Sequence, residues 1–88
     1  MWEAAAAPGR LDELLAWVDE VAAPALLAEP DTLAVSSYRA GDDRAVLVAV
    51  SRTGTGRIGD PPAELLRRPV HQWRFTRRWA ADGPAAGS

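Results

Sequence analysis

The strongest structural signal in the chain is LAVSSYRAGDDRAVLVAV, residues 33–50. Two runs of strand-forming residues, 33–39 and 44–52, lie on either side of a turn made of Ala-Gly-Asp-Asp. Glycine and aspartate tolerate the positive φ that tight hairpin turns require. The second run alternates valine with leucine and alanine, so both of its faces are apolar. The sequence therefore predicts a β-hairpin whose second strand is central in a sheet.

A helix is predicted before the hairpin, where apolar residues recur at the spacings of an amphipathic helix. The apolar positions are Leu11, Leu14, Leu15, Val18, Val21, Ala22 and Leu26. Pro24 lies inside this pattern and cannot donate a backbone hydrogen bond to the carbonyl four residues back. We therefore expect a kink or a break near residues 21–23, and we expect the helix to end before Pro30.

Weaker patterns surround these two elements. Residues 2–7, WEAAAA, precede a Pro-Gly turn and are interpreted as a strand. Residues 61–68 follow the N-cap residue Asp60 and predict a short second helix. Residues 70–79, VHQWRFTRRW, alternate between two faces, one aromatic and one cationic, which predicts a half-buried strand.

The resulting order is strand, helix, strand, strand, helix, strand. It predicts an α+β fold of the ferredoxin-like βαββαβ type, with a four-stranded antiparallel sheet and two helices on one face. We expect one domain over residues 1–79 and a flexible tail over 80–88. The core is small, because 18 of the 88 residues are alanine. A second copy is expected to cover the other face of the sheet, so that a homodimer forms an α+β barrel.

Composition argues against several classes of protein. The chain has no cysteine and one histidine, so we expect neither a disulfide framework nor a metal site. It has no run of about 18 or more apolar residues, so no membrane-spanning helix is expected. The net charge of −2 argues against nucleic acid as a partner. The first residues lack the basic and apolar regions of a secretory signal, so we expect a cytoplasmic protein.

The order of elements, the kinked helix ending PALLAEP (residues 24–30) and the hairpin VSSYRAGDDR (residues 35–44) resemble a known family. It is the antibiotic biosynthesis monooxygenase-like group of the dimeric α+β barrel superfamily, and the resemblance covers residues 2–79. The resemblance implies a barrel closed by two sheets, with a pocket between helices and sheet in each subunit. Family members include cofactor-free oxygenases of aromatic polyketides, haem-degrading enzymes, isomerases and proteins of no known activity. The resemblance therefore implies a fold more than a reaction.

Two residues are candidates for catalysis. His71 is the only histidine, and imidazole is the side chain that most often moves protons near neutral pH, so it is the candidate general base or acid. The alternative is an edge histidine bonded to backbone. Tyr38, in the first hairpin strand, is the candidate to hold a phenolic or developing anionic oxygen. The alternative is a structural, hydrogen-bonded tyrosine.

Four further residues are candidates for binding a substrate. Trp73 and Phe75 share a face of the last predicted strand, where they could stack on a flat aromatic molecule or fill the core. Arg74, on the opposite face, could hold a carboxylate or phosphate, or form a salt bridge. Trp17 lies beside the apolar stripe of the helix and either lines a cleft between helix and sheet or covers the edge of the core.

Two functions stay open from the sequence. One is an enzyme that orients a hydrophobic or aromatic small molecule for oxidation, cyclisation or isomerisation, with no cofactor. The other is a non-catalytic barrel that binds a ligand or a protein partner as an accessory in a pathway. A polar cavity containing a base would favour the enzyme, and a cavity with apolar filling would favour the binding protein.

Overall fold

The computed structural model describes residues 1–53, 58–76 and 78. Within them the chain is α+β, with a four-stranded sheet and one bent helix. The strands are β1 (Trp2–Ala5), β2 (Thr32–Ala40), β3 (Arg44–Ser51) and β4 (His71–Gln72). The helix lies between β1 and β2 and has three parts, which are α1 (Leu11–Trp17), a π-helical turn (Val18–Ala22) and α2 (Ala23–Leu27). A 3₁₀ turn (Ala63–Leu65) lies between β3 and β4.

The four strands form an antiparallel sheet in the order β2-β3-β1-β4. This order and these directions are compatible with a ferredoxin-like fold. The predicted hairpin is confirmed, and so is the central position of its second strand. The turn between β2 and β3 places Gly41 at a φ of 62°, a conformation that strains any residue with a side chain.

The helix changes its hydrogen bonding where the sequence predicts a kink. At the end of the π-helical turn the N–H of Ala23 donates to the carbonyl of Val18, five residues back. Pro24 explains this change, because it has no N–H to donate and its ring crowds the preceding turn. The predicted break is confirmed, and it occupies Val18–Ala22. The helix ends at Leu27, before Pro30, as predicted.

The predicted second helix over residues 61–68 is replaced by the 3₁₀ turn Ala63–Leu65. Asp60 does not cap it, since the residue before the turn is Pro62 and no side chain caps the N-terminus. Leu66 is already extended and forms an isolated bridge with Ala6. The carbonyl of Leu65 accepts from the N–H of Ala7, and the N–H of Arg67 donates to the carbonyl of Ala5, so these two groups bond to the first strand region instead of continuing a helix.

The predicted strand over residues 70–79 is also shorter than expected. β4 covers His71–Gln72, and one further hydrogen bond joins the N–H of Trp73 to the carbonyl of Met1. The described residues that follow Trp73, namely 74–76 and 78, belong to no strand. Residues 77, 79 and the predicted flexible tail, 80–88, lie outside the described residues.

The core lies between the helix and one face of the sheet. Helix residues 14, 18, 22 and 26, spaced by four, form the helical side of the core. The largest fully buried side chains are Trp2, Leu14, Leu47 and Val18. Burying each of these contributes about 1.5–3 kcal/mol. No polar or charged side chain of residues 1–53, 58–76 or 78 is buried.

Candidate functional site

The strand register assigns each residue to one of two faces of the sheet, because residues directly opposite one another share a face. Leu47 is opposite Trp2 and belongs to the face that the helix covers. Val46 is opposite Glu3 and Tyr38 and belongs to the other face. We call this second surface the open face, and it carries Glu3, Ala34, Ser36, Tyr38, Val46, Val48, Val50 and His71.

The two candidate catalytic residues lie in one row across the open face. The row runs Tyr38, Val46, Glu3, His71, with one residue from each strand. Neighbouring strands are about 4.8 Å apart, so the backbones of Tyr38 and His71 are separated by about 14 Å. Tyr38 is 55% exposed, and His71 is also exposed. The structure therefore brings the two residues to the same face without joining them in one pocket.

Glu3 lies between them and is not among the residues predicted from the sequence. Its Oε1 accepts a hydrogen bond from Arg68 Nη2 at 3.1 Å. Directly opposed side chains have Cβ atoms about 5 Å apart, so Glu3 is also within reach of the His71 imidazole. The available signal was an acidic residue inside the otherwise apolar run WEAAAA.

The candidate binding residues of the last predicted strand are on the surface. Trp73 is 46% exposed and Phe75 is 59% exposed, so neither fills the core of this chain. Arg74 is exposed as well. Trp17, the fourth candidate, stacks on buried Trp2 with ring centroids 5.9 Å apart, and it lines a cavity that Trp73, Arg74 and Phe75 do not line. The predicted site residues are thus divided between the open face and the helix.

Trp17 lines a cavity of about 170 Å³ between the helix and residues 58–59. We call it the helix-end cavity. The residues that line it are Trp17, Val21, Ala22, Ala25, Leu26, Glu29, Ile58 and Gly59. Its walls are apolar except for the carboxylate of Glu29, which lies just beyond the end of α2.

Spacing along the helix explains how this cavity forms. Residues 17, 21, 25 and 29 follow one another at intervals of four, beside the buried stripe at 14, 18, 22 and 26. Residues four apart lie on one side of a helix, so the first set forms a second stripe at the edge of the core. Glu29 is not among the residues predicted from the sequence, although this spacing is a signal by which it could be found.

The opposite wall of the cavity is held in place by Gln72, another residue that the sequence does not single out. The Gln72 side chain accepts a hydrogen bond from the N–H of Ile58 at 3.2 Å and donates one to its carbonyl at 2.9 Å. These two bonds attach the backbone of residue 58 to β4. The wall is therefore fixed by the sheet.

A larger cleft, of about 450 Å³, lies beside the hairpin turn. Its charged lining residues include Arg39, Arg67 and Asp43. Arg67 Nη2 pairs with Asp43 Oδ2 at 2.9 Å, and Arg39 Nε donates to the carbonyl of Gly41 at 3.4 Å. Because its cations are engaged by neighbours within the chain, we assign this cleft no ligand.

The part of the chain that the structure describes contains no group of three or more His, Asp or Glu residues that could hold a metal ion. In the same residues no helix is long and apolar enough to cross a membrane.

Comparisons with known protein families, with curated proteins and with solved structures find no match to this chain.

Proposed function

We propose that this protein forms a homodimer and that each copy binds a hydrophobic or aromatic small molecule in the helix-end cavity, without reacting with it. The observation that carries the proposal is the cavity wall, which is apolar apart from Glu29 and has Trp17 along one side. Neither His71 nor Tyr38 lines it. Such a wall suits the binding of an apolar ring better than it suits acid–base catalysis.

The homodimer is supported by the open face. Val46, Val48 and Val50 form an apolar strip along β3, in which Val46 is only 8% exposed and Val48 and Val50 are half-buried. Tyr38 lies opposite Val46 on β2. None of these three valines belongs to the core cluster that packs against the helix. Contiguous apolar surface of this kind marks an interface in soluble proteins. A second copy packed face to face would cover it and close the α+β barrel that the family resemblance implies.

Benzyl alcohol is a suitable first probe of the cavity, because its single ring is small and uncharged. Titration into the protein, followed by calorimetry or NMR, should give saturable binding of one molecule per chain. Ala25→Trp places an indole in the cavity and should abolish that binding. Ala16→Trp makes the same change at an exposed helix position that does not line the cavity, and binding should persist. Unchanged binding in Ala25→Trp would contradict the proposal.

A second candidate function is a cofactor-independent monooxygenase, cyclase or isomerase. The observation that favours it is the pairing of His71 with Glu3 on the open face, because a second copy would enclose an imidazole beside a carboxylate that can orient it. Trp73, Phe75 and Arg74 would then hold the substrate, and Tyr38 would have to come from the other copy to reach the same molecule.

Oxygen uptake in the presence of 1-naphthol tests the oxygenase form of this candidate. If His71 is the base, His71→Ala should leave the mass and the melting temperature unchanged and lower the rate by about 100-fold or more. Gln72→Asn is a useful comparison, because it disturbs the cavity wall and leaves the open face intact. Equal rates in the parent protein and in His71→Ala would exclude the catalytic role of His71 in that oxidation.

A further inference from the structure

The helix-end cavity has the size of one aromatic ring. Its volume is about 170 Å³, and an apolar cavity of about 150 Å³ is large enough to bind benzene. A fused two-ring or three-ring molecule would have to extend beyond it into solvent. Val21, one of the lining residues, is 50% exposed, so a substituent on the ring can reach solvent beside it.

The aromatic wall of the cavity is supported from behind. Trp17 stacks on Trp2 at an interplanar angle of 27°, and Trp2 has no exposed surface. The Trp17 indole is therefore held by a buried neighbour rather than by solvent-exposed side chains. An aromatic pair in offset or edge-to-face geometry is stabilised beyond the area that it buries. A ring bound at this wall gains that stabilisation at little cost in side-chain freedom.

Glu29 gives the cavity its charge. It is the only charged residue among those that line the cavity, and no hydrogen bond or ion pair of its carboxylate occurs among residues 1–53, 58–76 and 78. It follows the last turn of the helix, which ends at Leu27, and the C-terminal end of a helix carries partial negative charge. The carboxylate and the helix end therefore both favour a cation at this point.

We infer that the helix-end cavity takes a one-ring aromatic molecule that carries a protonated amine, with the ring against Trp17 and the amine at Glu29. This inference rests on the proposed function and adds to it the size and charge of the ligand.

Benzylamine, benzyl alcohol and benzoate test this inference, because they share one ring and differ in charge. At neutral pH and low salt, benzylamine should bind about fivefold more tightly than benzyl alcohol, the effect expected for a partly exposed ion pair, and benzoate should bind more weakly than either. Added sodium chloride should reduce the preference for the amine without changing the affinity for the alcohol.

Two variants locate the preference. Glu29→Gln should bring benzylamine to the affinity of benzyl alcohol, and Glu20→Gln, at an exposed site that does not line the cavity, should keep the fivefold difference. Equal binding of the amine and the alcohol by the parent protein would overturn the inference and leave the proposed function standing. An amine preference that persists in Glu29→Gln would also overturn it. Failure of all three molecules to bind at millimolar concentration would overturn the proposed function as well.

Discussion

The two faces of the sheet are made by the same strands and have different surroundings. On the helix-covered face Trp2 and Leu47 have no exposed surface, whereas on the open face Tyr38 is 55% exposed. Alternation in β3 supplies apolar side chains to both faces, so the difference does not come from composition. It comes from the stripe of helix residues spaced by four, which covers one face only. One alternating strand can therefore specify a core within its own chain and, on our proposal, an interface with a second chain.

The largest effect is expected from a charge on the helix-covered face. Leu47→Asp places a carboxylate at a position with no exposed surface, where no buried charged side chain among the described residues can pair with it. An unpaired buried charge costs several kcal/mol, and a typical domain is stable by only about 5–15 kcal/mol. The variant should be unfolded at room temperature by circular dichroism. A cooperative melt near the parent temperature would show that the core is misplaced.

The adjacent residue should give a different result, because it points to the open face. Val48→Asp leaves the helix-covered core untouched and puts a charge in the proposed dimer interface. The parent protein should have twice the chain mass of 9.4 kDa in light scattering at micromolar concentration, and Val48→Asp should have the mass of one chain while keeping its helical signal. A parent protein that stays at 9.4 kDa at high concentration would remove the barrel from the proposal.

A smaller effect is expected at Trp2, and it tests whether the buried indole N–H on the helix-covered face lacks a hydrogen bond. The Nε1 of Trp2 is buried, and no hydrogen-bond partner for it occurs among the described residues. Trp2→Phe removes this N–H and part of the ring. Removing a buried donor that has no partner stabilises the folded state by about 1–3 kcal/mol, which offsets much of the packing lost with the smaller ring. The free energy of unfolding should change by less than about 1 kcal/mol, against about 3–5 kcal/mol for Trp2→Ala. Similar losses in both variants in urea titrations would mean that the N–H is bonded in solution.

The smallest effect belongs to a pair on neither face. Hydrogen bonds from Arg10 at 2.7 and 2.8 Å lower the pKa of the Glu13 carboxyl below its usual value. A lowered pKa in the folded state contributes stability above the ordinary pKa of glutamate and loses it as the pH falls through the lowered value. Because both groups are exposed, Glu13→Gln should lower the melting temperature only slightly at pH 7 and not at all in strong acid. If the difference in melting temperature between the parent protein and Glu13→Gln grew toward acid pH, the lowered pKa of Glu13 would be contradicted.

The sequence predicted correctly those elements whose hydrogen bonds join residues close together in the chain. The hairpin followed from alternation around Gly41, and the helix break followed from Pro24. The second helix and the long last strand were wrong because distant backbone decides them. The carbonyl of Leu65 accepts from the N–H of Ala7, and the N–H of Arg67 donates to the carbonyl of Ala5 at the end of β1. The last strand pairs with β1 only over His71–Gln72.

The site could be predicted only in part for a related reason. The sequence identified His71 and Tyr38 as candidates, but the face that they share and the number of strands between them depend on the strand register and the sheet order. Trp17 was identified from its position on the helix. Gln72 bonds to the backbone of residue 58, and Glu29 lines the cavity beside that residue. No short sequence motif encodes either contact.

The central claim is that the helix-end cavity binds the ligand and the open face does not. Chemical-shift mapping with benzyl alcohol on isotope-labelled protein tests it directly, because it reports both regions in one titration. The account predicts saturable shifts at the amides of Val21 and Ala25 and at the Trp17 indole, with Tyr38 and Val48 unchanged. Shifts centred on Tyr38, Val48 and His71, with the Trp17 indole unmoved, would contradict it.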